Sequence, residues 1–277
     1  MKKYVFVLIC CLCLMNTFAQ HQLVKLWETD SVLKVPESVL YDKKNQVLYV
    51  SNIDGTQPWG KDGKGSIGKV GLDGKIIATE WVTGLNAPKG MGLYNNKLYV
   101  ADLNELVVID IVTGTILEKI PVLNAIALND VSIGKKGVVY VSDSRGRKVY
   151  EIKNKIQSVL LDSNQLKGPN GVLKHKGTFY VLDAGAMYRM EKDNSLTKIT
   201  EGMEGGTDGI ENVTGNDFIV STWSGVVYYV NADGTKQVLM DGRPLKINSA
   251  DIGYDAKKRI VYIPTFWKNS VAAYELK

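Results

Sequence analysis

Pro169-Asn170-Gly171-Val172, followed by the apolar run Thr178-Phe179-Tyr180-Val181 and Asp183, is the stretch that decides the fold, because the chain repeats it. Copies of the phrase open at Pro36-Glu37-Ser38-Val39, Pro88-Lys89-Gly90-Met91, Leu128-Asn129-Asp130-Val131, Thr207-Asp208-Gly209-Ile210 and Ala250-Asp251-Ile252-Gly253. Each has a short polar opening, an apolar strand, a turn, and a second strand ending near Asp, Ser or Thr. A strand-only repeat of about 40 residues is the signature of a propeller, in which equivalent positions converge on one axis. The second positions of the phrase, Glu37, Lys89, Asn129, Asn170, Asp208 and Asp251, are therefore expected to form one ring.

Outward from this phrase the pattern predicts an all-β, six-bladed β-propeller with four antiparallel strands per blade. The matching second strands, such as Val47-Leu48-Tyr49-Val50, Val138-Val139-Tyr140-Val141 and Ile260-Val261-Tyr262-Ile263, are β-branched and aromatic, as a sheet packed on both faces requires. Their aromatic residues read as inter-blade core. Third and fourth strands follow, joined by tight turns such as Asp73-Gly74 and Asp233-Gly234, where glycine accepts a positive φ. The sixth blade runs out of chain after Ser270–Leu276. Leu23 to Thr29 has strand character and is expected to supply the missing fourth strand, closing the ring and protecting its edges.

The first nineteen residues read as a secretory signal peptide: Lys2-Lys3, an apolar core from Val5 to Met15, and the small-residue site Thr17-Phe18-Ala19. Residues 1–19 are thus assigned to the signal and 20–277 to the propeller domain, with a periplasmic or secreted location. Cys10, Cys11 and Cys13 all fall in the removed segment, which excludes disulfides, cysteine catalysis and thiolate metal sites from the mature chain. Basic and acidic residues are interspersed and no basic run is interleaved with aromatics, so nucleic acid is not an expected partner. No second long apolar stretch predicts a membrane span. A monomer acting on a small-molecule substrate is the expected form.

Glu37, Asn129, Asn170 and Asp208 form an all-oxygen set of two carboxylates and two amides. Such a set suits a hard divalent cation, Ca²⁺ above all, and two negative charges nearly neutralise it. At any one position the competing role is a turn-forming Asn or Asp; four positions in register favour a ligand set. Histidine is confined to His21 and His175, which excludes a histidine-rich zinc or iron site.

On these residues the chain resembles the senescence marker protein / gluconolactonase / luciferin-regenerating enzyme family, along essentially the whole mature chain. The order Glu37…Asn129-Asp130…Asn170-Gly171…Asp208-Gly209 carries the resemblance. It implies one bound divalent metal, Ca²⁺ first, with Mg²⁺, Mn²⁺ or Zn²⁺ as alternatives. It also implies that Asp208 is both a metal ligand and a catalytic base. The implied activity is metal-dependent hydrolysis of a lactone or related ester in the central channel. The alternative is a non-catalytic propeller serving as a ligand- or protein-binding platform. The chain departs from the family pattern at Ala127, where sugar-lactone enzymes often carry Arg, and it lacks a paraoxonase-type His pair. A strictosidine-synthase-like reading would need a late-blade catalytic Glu, for which only Glu211 is near.

Lys89 is assigned with Asp208 to the catalytic set, as a cation for an anionic substrate group or a developing oxyanion; the competing position is solvated on the rim. Asp251 is expected to pair with Lys89 across the channel or to add acidity. The loop Asp54 to Gly65 reads as a surface loop or as a lid contacting the pocket through Trp59. Trp223 and Trp267 are placed either at the mouth or in packing.

Overall fold

The computed structural model describes residues 20–277; the signal-peptide reading falls on residues outside that range. The chain folds into six four-stranded antiparallel sheets. Blade one is β2 (Pro36–Asp42), β3 (Val47–Asn52), β4 (Gly65–Gly71) and β5 (Ile76–Leu85). Blade two is β6 (Pro88–Tyr94), β7 (Lys97–Asp102), β8 (Glu105–Asp110) and β9 (Thr115–Pro121). Blade three is β10 (Leu128–Ile133), β11 (Val139–Asp143), β12 (Lys148–Lys153) and β13 (Ile156–Leu161). Blade four is β14 (Pro169–His175), β15 (Thr178–Asp183), β16 (Ala186–Met190) and β17 (Leu196–Thr200). Blade five is β18 (Thr207–Thr214), β19 (Asp217–Thr222), β20 (Val226–Val230) and β21 (Lys236–Asp241).

Blade six is assembled from both ends of the described chain. β22 (Gly253–Asp255), β23 (Ile260–Pro264) and β24 (Val271–Leu276) are joined by β1 (Leu23–Glu28), which pairs antiparallel with β24 from Leu23↔Leu276 to Glu28↔Ala272. The expected closure is therefore realised, with the N-terminal strand outermost. Among the described residues no helix is long and apolar enough to cross a membrane.

The first strand of each blade lies innermost and contacts the first strands of its neighbours around the axis. Second strands such as Val47–Asn52 are buried throughout, whereas outer strands such as Thr115–Pro121 alternate between exposed and half-buried. The aromatic residues of the second strands are core between blades, as the sequence predicts. Tyr140 meets Phe179 at 5.2 Å between ring centroids and Tyr180 meets Phe218 at 4.8 Å, each pair bridging adjacent blades. The Asp73-Gly74 and Asp233-Gly234 turns form with glycine φ of 84° and 85°, in the region where side chains other than glycine are strained.

The Asp that ends the second strand has a positioning function. Asp102 accepts the backbone N–H groups of Asn86 and Ala87, both at 2.8 Å. Asp143 accepts those of Ile126 and Ala127, and Asp183 those of Lys167 and Gly168. In each of these blades the carboxylate clamps the segment just before the repeated phrase, and so fixes where the next side chain, Lys89, Asn129 or Asn170, leaves the backbone. Ala127 belongs to this clamp: it is fully buried and contributes its backbone, not its side chain.

Candidate functional site

At the phrase itself every innermost strand of blades one to five breaks register with its partner. The irregularities fall between Pro36 and Ser38, Pro88 and Met91, Leu128 and Val131, Pro169 and Val172, and Thr207 and Ile210. A bulge of this kind bends the strand and re-aims a side chain. Here the re-aimed side chains are the second positions. Glu37, Lys89, Asn129, Asn170 and Asp208 all line one cavity of about 290 Å³, together with Pro58, Trp59, Gly206, Trp223 and Phe266.

Asp251 is not part of that group. It forms a parallel bridge with Ser38, its N–H donates to the Glu37 carbonyl, and its carboxylate accepts from Ser38 Oγ at 2.5 Å. It is thus in register with the third position of the phrase, one residue out of step, and such a step sends a side chain elsewhere. It lines a second cavity of about 470 Å³ with Ser38, Asp130 and Glu211. The expected ring of six is a ring of five, and the expected Lys89–Asp251 pairing is replaced by Lys89–Glu37. Glu211, the one late-blade candidate for the strictosidine-synthase-like reading, also lies in this second cavity, away from Asp208.

Lys89 is only 2 % exposed, which removes the rim position. Its Nζ stands 3.7 Å from Glu37 Oε1 and 4.4 Å from the centre of the Trp59 ring. Burial pushes its pKa down, against the attraction of Glu37, Asp208 and Asp102. Burial pushes Glu37 up, opposed by Lys89. Asp208 is raised well above the usual carboxylate range, first by burial and then by repulsion from Glu37 and Asp130, with Lys89 and the Asn170 amide opposing.

Both amide nitrogens are taken up by neighbours. Asn129 Nδ2 donates to Ser144 Oγ at 3.0 Å, and Ser144 Oγ in turn donates to the Pro169 carbonyl at 2.7 Å. Asn170 Nδ2 donates to Asp208 Oδ1 at 3.2 Å. Eight side-chain atoms among the described residues are buried with no hydrogen-bond partner, and two of them, Asn170 Oδ1 and Glu37 Oε2, belong to the oxygen set. Orphaned buried acceptors are uncommon and costly. Two of them from the oxygen set, lining one cavity with Asp208, are the kind of vacancy in hydrogen bonding that a hard cation satisfies. Among the described residues no three His, Cys, Asp or Glu side chains cluster as a metal site; the donors available are carboxylates and amides in equal number.

The wall above the polar floor is aromatic, a feature the repeat could not reveal because it comes from loops. The β3–β4 loop carries Pro58 and Trp59 over the pocket, and Trp59 packs on a buried cluster that includes Val35, Leu103 and Phe266. The loop therefore covers the site. Arg145 stands 5.0 Å from the Trp59 ring centre. Phe266 meets Trp223 edge-on at 5.7 Å and Trp267 at 4.8 Å. Phe266 has a φ of 49°, an unfavourable region for a bulky side chain that costs on the order of 1–3 kcal/mol. Its ring is nevertheless buried in this wall.

No protein-family model matches the chain, and no curated protein does. Solved structures do. A candidate gluconolactonase matches with a TM-score of 0.68 at 15 % identity, over 94 % of this chain and 93 % of its own. A catalytically inactive virginiamycin B lyase from Staphylococcus aureus, solved with quinupristin, matches at 0.64 and 14 % identity over 93 % and 99 %. This chain has the gluconolactonase-like propeller fold. The same architecture matches a propeller from a nidogen/laminin complex, at 0.65 and 15 % identity over 77 % and 86 %. Identities this low establish architecture and leave chemistry to the residues.

Proposed function

We propose that the cavity ringed by Glu37, Lys89, Asn129, Asn170 and Asp208 is the active site of a divalent-metal-dependent hydrolase acting on a lactone or related ester. The observation that carries this reading is the pair of partnerless buried oxygens, Glu37 Oε2 and Asn170 Oδ1, on two residues that line the same cavity as Asp208 and Asn129. Glu37, Asn129, Asn170 and Asp208 would hold the ion, Ca²⁺ being the best match to an all-oxygen set that mixes charged and neutral donors. When bound, such an ion supplies Lewis acidity toward the substrate carbonyl.

The remaining steps belong to the chain. Asn170 holds Asp208 by Oδ1, which leaves Oδ2 to take a proton from the attacking water. The water oxygen bonds to the carbonyl carbon, the C–O bond to the leaving oxygen breaks, and the proton held on Asp208 returns to that oxygen. Lys89 offers its charge to the alkoxide as it forms. The amino-terminal pattern supports a periplasmic or secreted location for the chain.

The test is hydrolysis of a panel of lactones and aryl esters by the purified chain, before and after chelation and with Ca²⁺, Mg²⁺, Mn²⁺ or Zn²⁺ restored. Turnover lost on chelation and regained with one of these ions is expected. Undiminished turnover in chelator would remove the metal from the chemistry. The second reading is a binding platform. It is favoured by Trp223 and Trp267, which are 44 % and 43 % exposed at the rim, and by the propeller found in the nidogen/laminin complex. Absence of turnover across the panel with any ion would leave that reading in place.

A further inference from the structure

We infer that the ligand of the upper cavity is a compact lactone or ester with a flat apolar body, aromatic in the simplest case, and not a polyhydroxylated sugar lactone. This rests on the proposed hydrolase reading and specifies its substrate.

The argument begins with where polarity sits. All the charged and amide side chains of the cavity, Glu37, Lys89, Asn129, Asn170 and Asp208, belong to the floor. There Lys89 faces Glu37 and Asn170 bonds Asp208, and under the proposed reading the oxygens left over on Glu37 and Asn170 hold the ion. The remaining lining is Pro58, Trp59, Gly206, Trp223 and Phe266, whose only side-chain polar groups are the two indole N–H donors. A sugar lactone buried here would lose the hydration of several hydroxyls with at most two indole donors to replace it, and each unsatisfied group weakens binding. Sites that select hydroxyls carry partners for them. An aromatic or otherwise flat apolar body loses nothing polar and gains ring contacts.

The aromatic wall is also fixed in place. Phe266 is held in the left-handed backbone region between Trp223 and Trp267, and Trp59 is fixed by its packing and by the ammonium of Lys89. Strain that persists beside a site is a pointer to use of the strained group. Trp223 lines the cavity yet is 44 % exposed, so one face of the wall is unfilled by protein. A cavity of about 290 Å³ suits a one- or two-ring ligand.

Calorimetric titration separates recognition from chemistry if lactams stand in for lactones, because lactams resist hydrolysis. The bicyclic 3,4-dihydroquinolin-2-one is expected to bind the full chain at least about tenfold more tightly than gluconolactam, and Trp223→Ala to lose about tenfold of that affinity. Trp59→Ala provides a second variant on the opposite element, with loss in the same direction. Equal or tighter binding of gluconolactam, no detectable binding of either lactam, or an unchanged Trp223→Ala affinity would overturn the inference. Turnover of dihydrocoumarin and δ-gluconolactone is measured separately. Binding of the bicyclic lactam with no turnover of either lactone would retire the hydrolase reading and keep the ligand class. Turnover of δ-gluconolactone alone would do the reverse.

Discussion

The two mouths of the channel are built from neighbouring positions of one repeated phrase, yet they differ in kind. The upper mouth takes the second positions, Glu37, Lys89, Asn129, Asn170 and Asp208. The lower cavity takes third positions, Ser38, Asp130 and Asp251, with Glu211 beyond them. Above, the buried Lys89 faces Glu37, and two amides spend their nitrogens on Ser144 and Asp208. Below, carboxylates meet hydrogen-bond donors of the fold itself: Asp130 accepts the N–H groups of Val131 and Val172, both at 2.6 Å, and Asp251 accepts Ser38 Oγ. Glycine makes room for them, since a Cβ at Gly90 would meet the Asp130 carboxylate and one at Gly209 that of Asp251. The difference teaches that acidity in a channel is not itself a site. Below, the carboxylates of Asp130 and Asp251 have structural partners; above, Glu37 and Asn170 have oxygens left over.

The sharpest way to break this contrast is to remove one carboxylate from each mouth. Asp208→Ala is expected to lower kcat/KM by about a thousandfold, within the usual range for a general base, whereas Asp251→Asn should change it less than about threefold. Steady-state kinetics on the best lactone of the panel decides, and comparable losses would erase the distinction between the mouths.

Lys89→Met probes the upper mouth by taking away its resident charge. Breaking a buried ion pair by deleting one partner costs about 3 kcal/mol or more, so urea unfolding should show a loss of that order in metal-free buffer. Addition of Ca²⁺ should restore part of it, because an ion stabilises any state that binds it. A variant as stable as the parent would mean that Lys89 and Glu37 face each other as neutral groups.

The smallest effect is expected below. Burial, with Asp130 adding repulsion, pushes the Glu211 carboxyl up to about 8. A carboxyl raised on folding holds its proton in the folded state after the unfolded chain has released it. The folded state is then favoured below the unfolded value near 4.5 and loses that advantage as pH rises toward 8. Glu211→Gln should flatten this decline between pH 5 and pH 8. An unchanged slope of stability against pH would assign the decline to other groups.

Much of this was legible in the residues. The period of the phrase, its apolar second strands and the shortage of a fourth strand in blade six fixed a six-bladed propeller closed by Leu23–Glu28, because strand pairing and edge protection leave few alternatives. The spacing also aligned Glu37, Lys89, Asn129, Asn170 and Asp208, since equivalent positions on a closed ring must meet at its axis. Asp251 was misassigned because alignment by residue type cannot see a one-residue step. The bridge to Ser38 sets that register, and the pleat then sends the side chain to the other cavity. Tertiary structure alone decided that Lys89 is buried against Glu37, that the amide nitrogens go to Ser144 and Asp208, and that Trp59, Trp223 and Phe266 form a wall over the ring. Those outcomes depend on bulges, hydrogen bonds and loops that bring together residues far apart in the chain. The sequence by itself determined the ring and its axis, because repetition encodes symmetry. It left the occupants' contacts undetermined, because each contact is made across blades whose distance from one another no local pattern records.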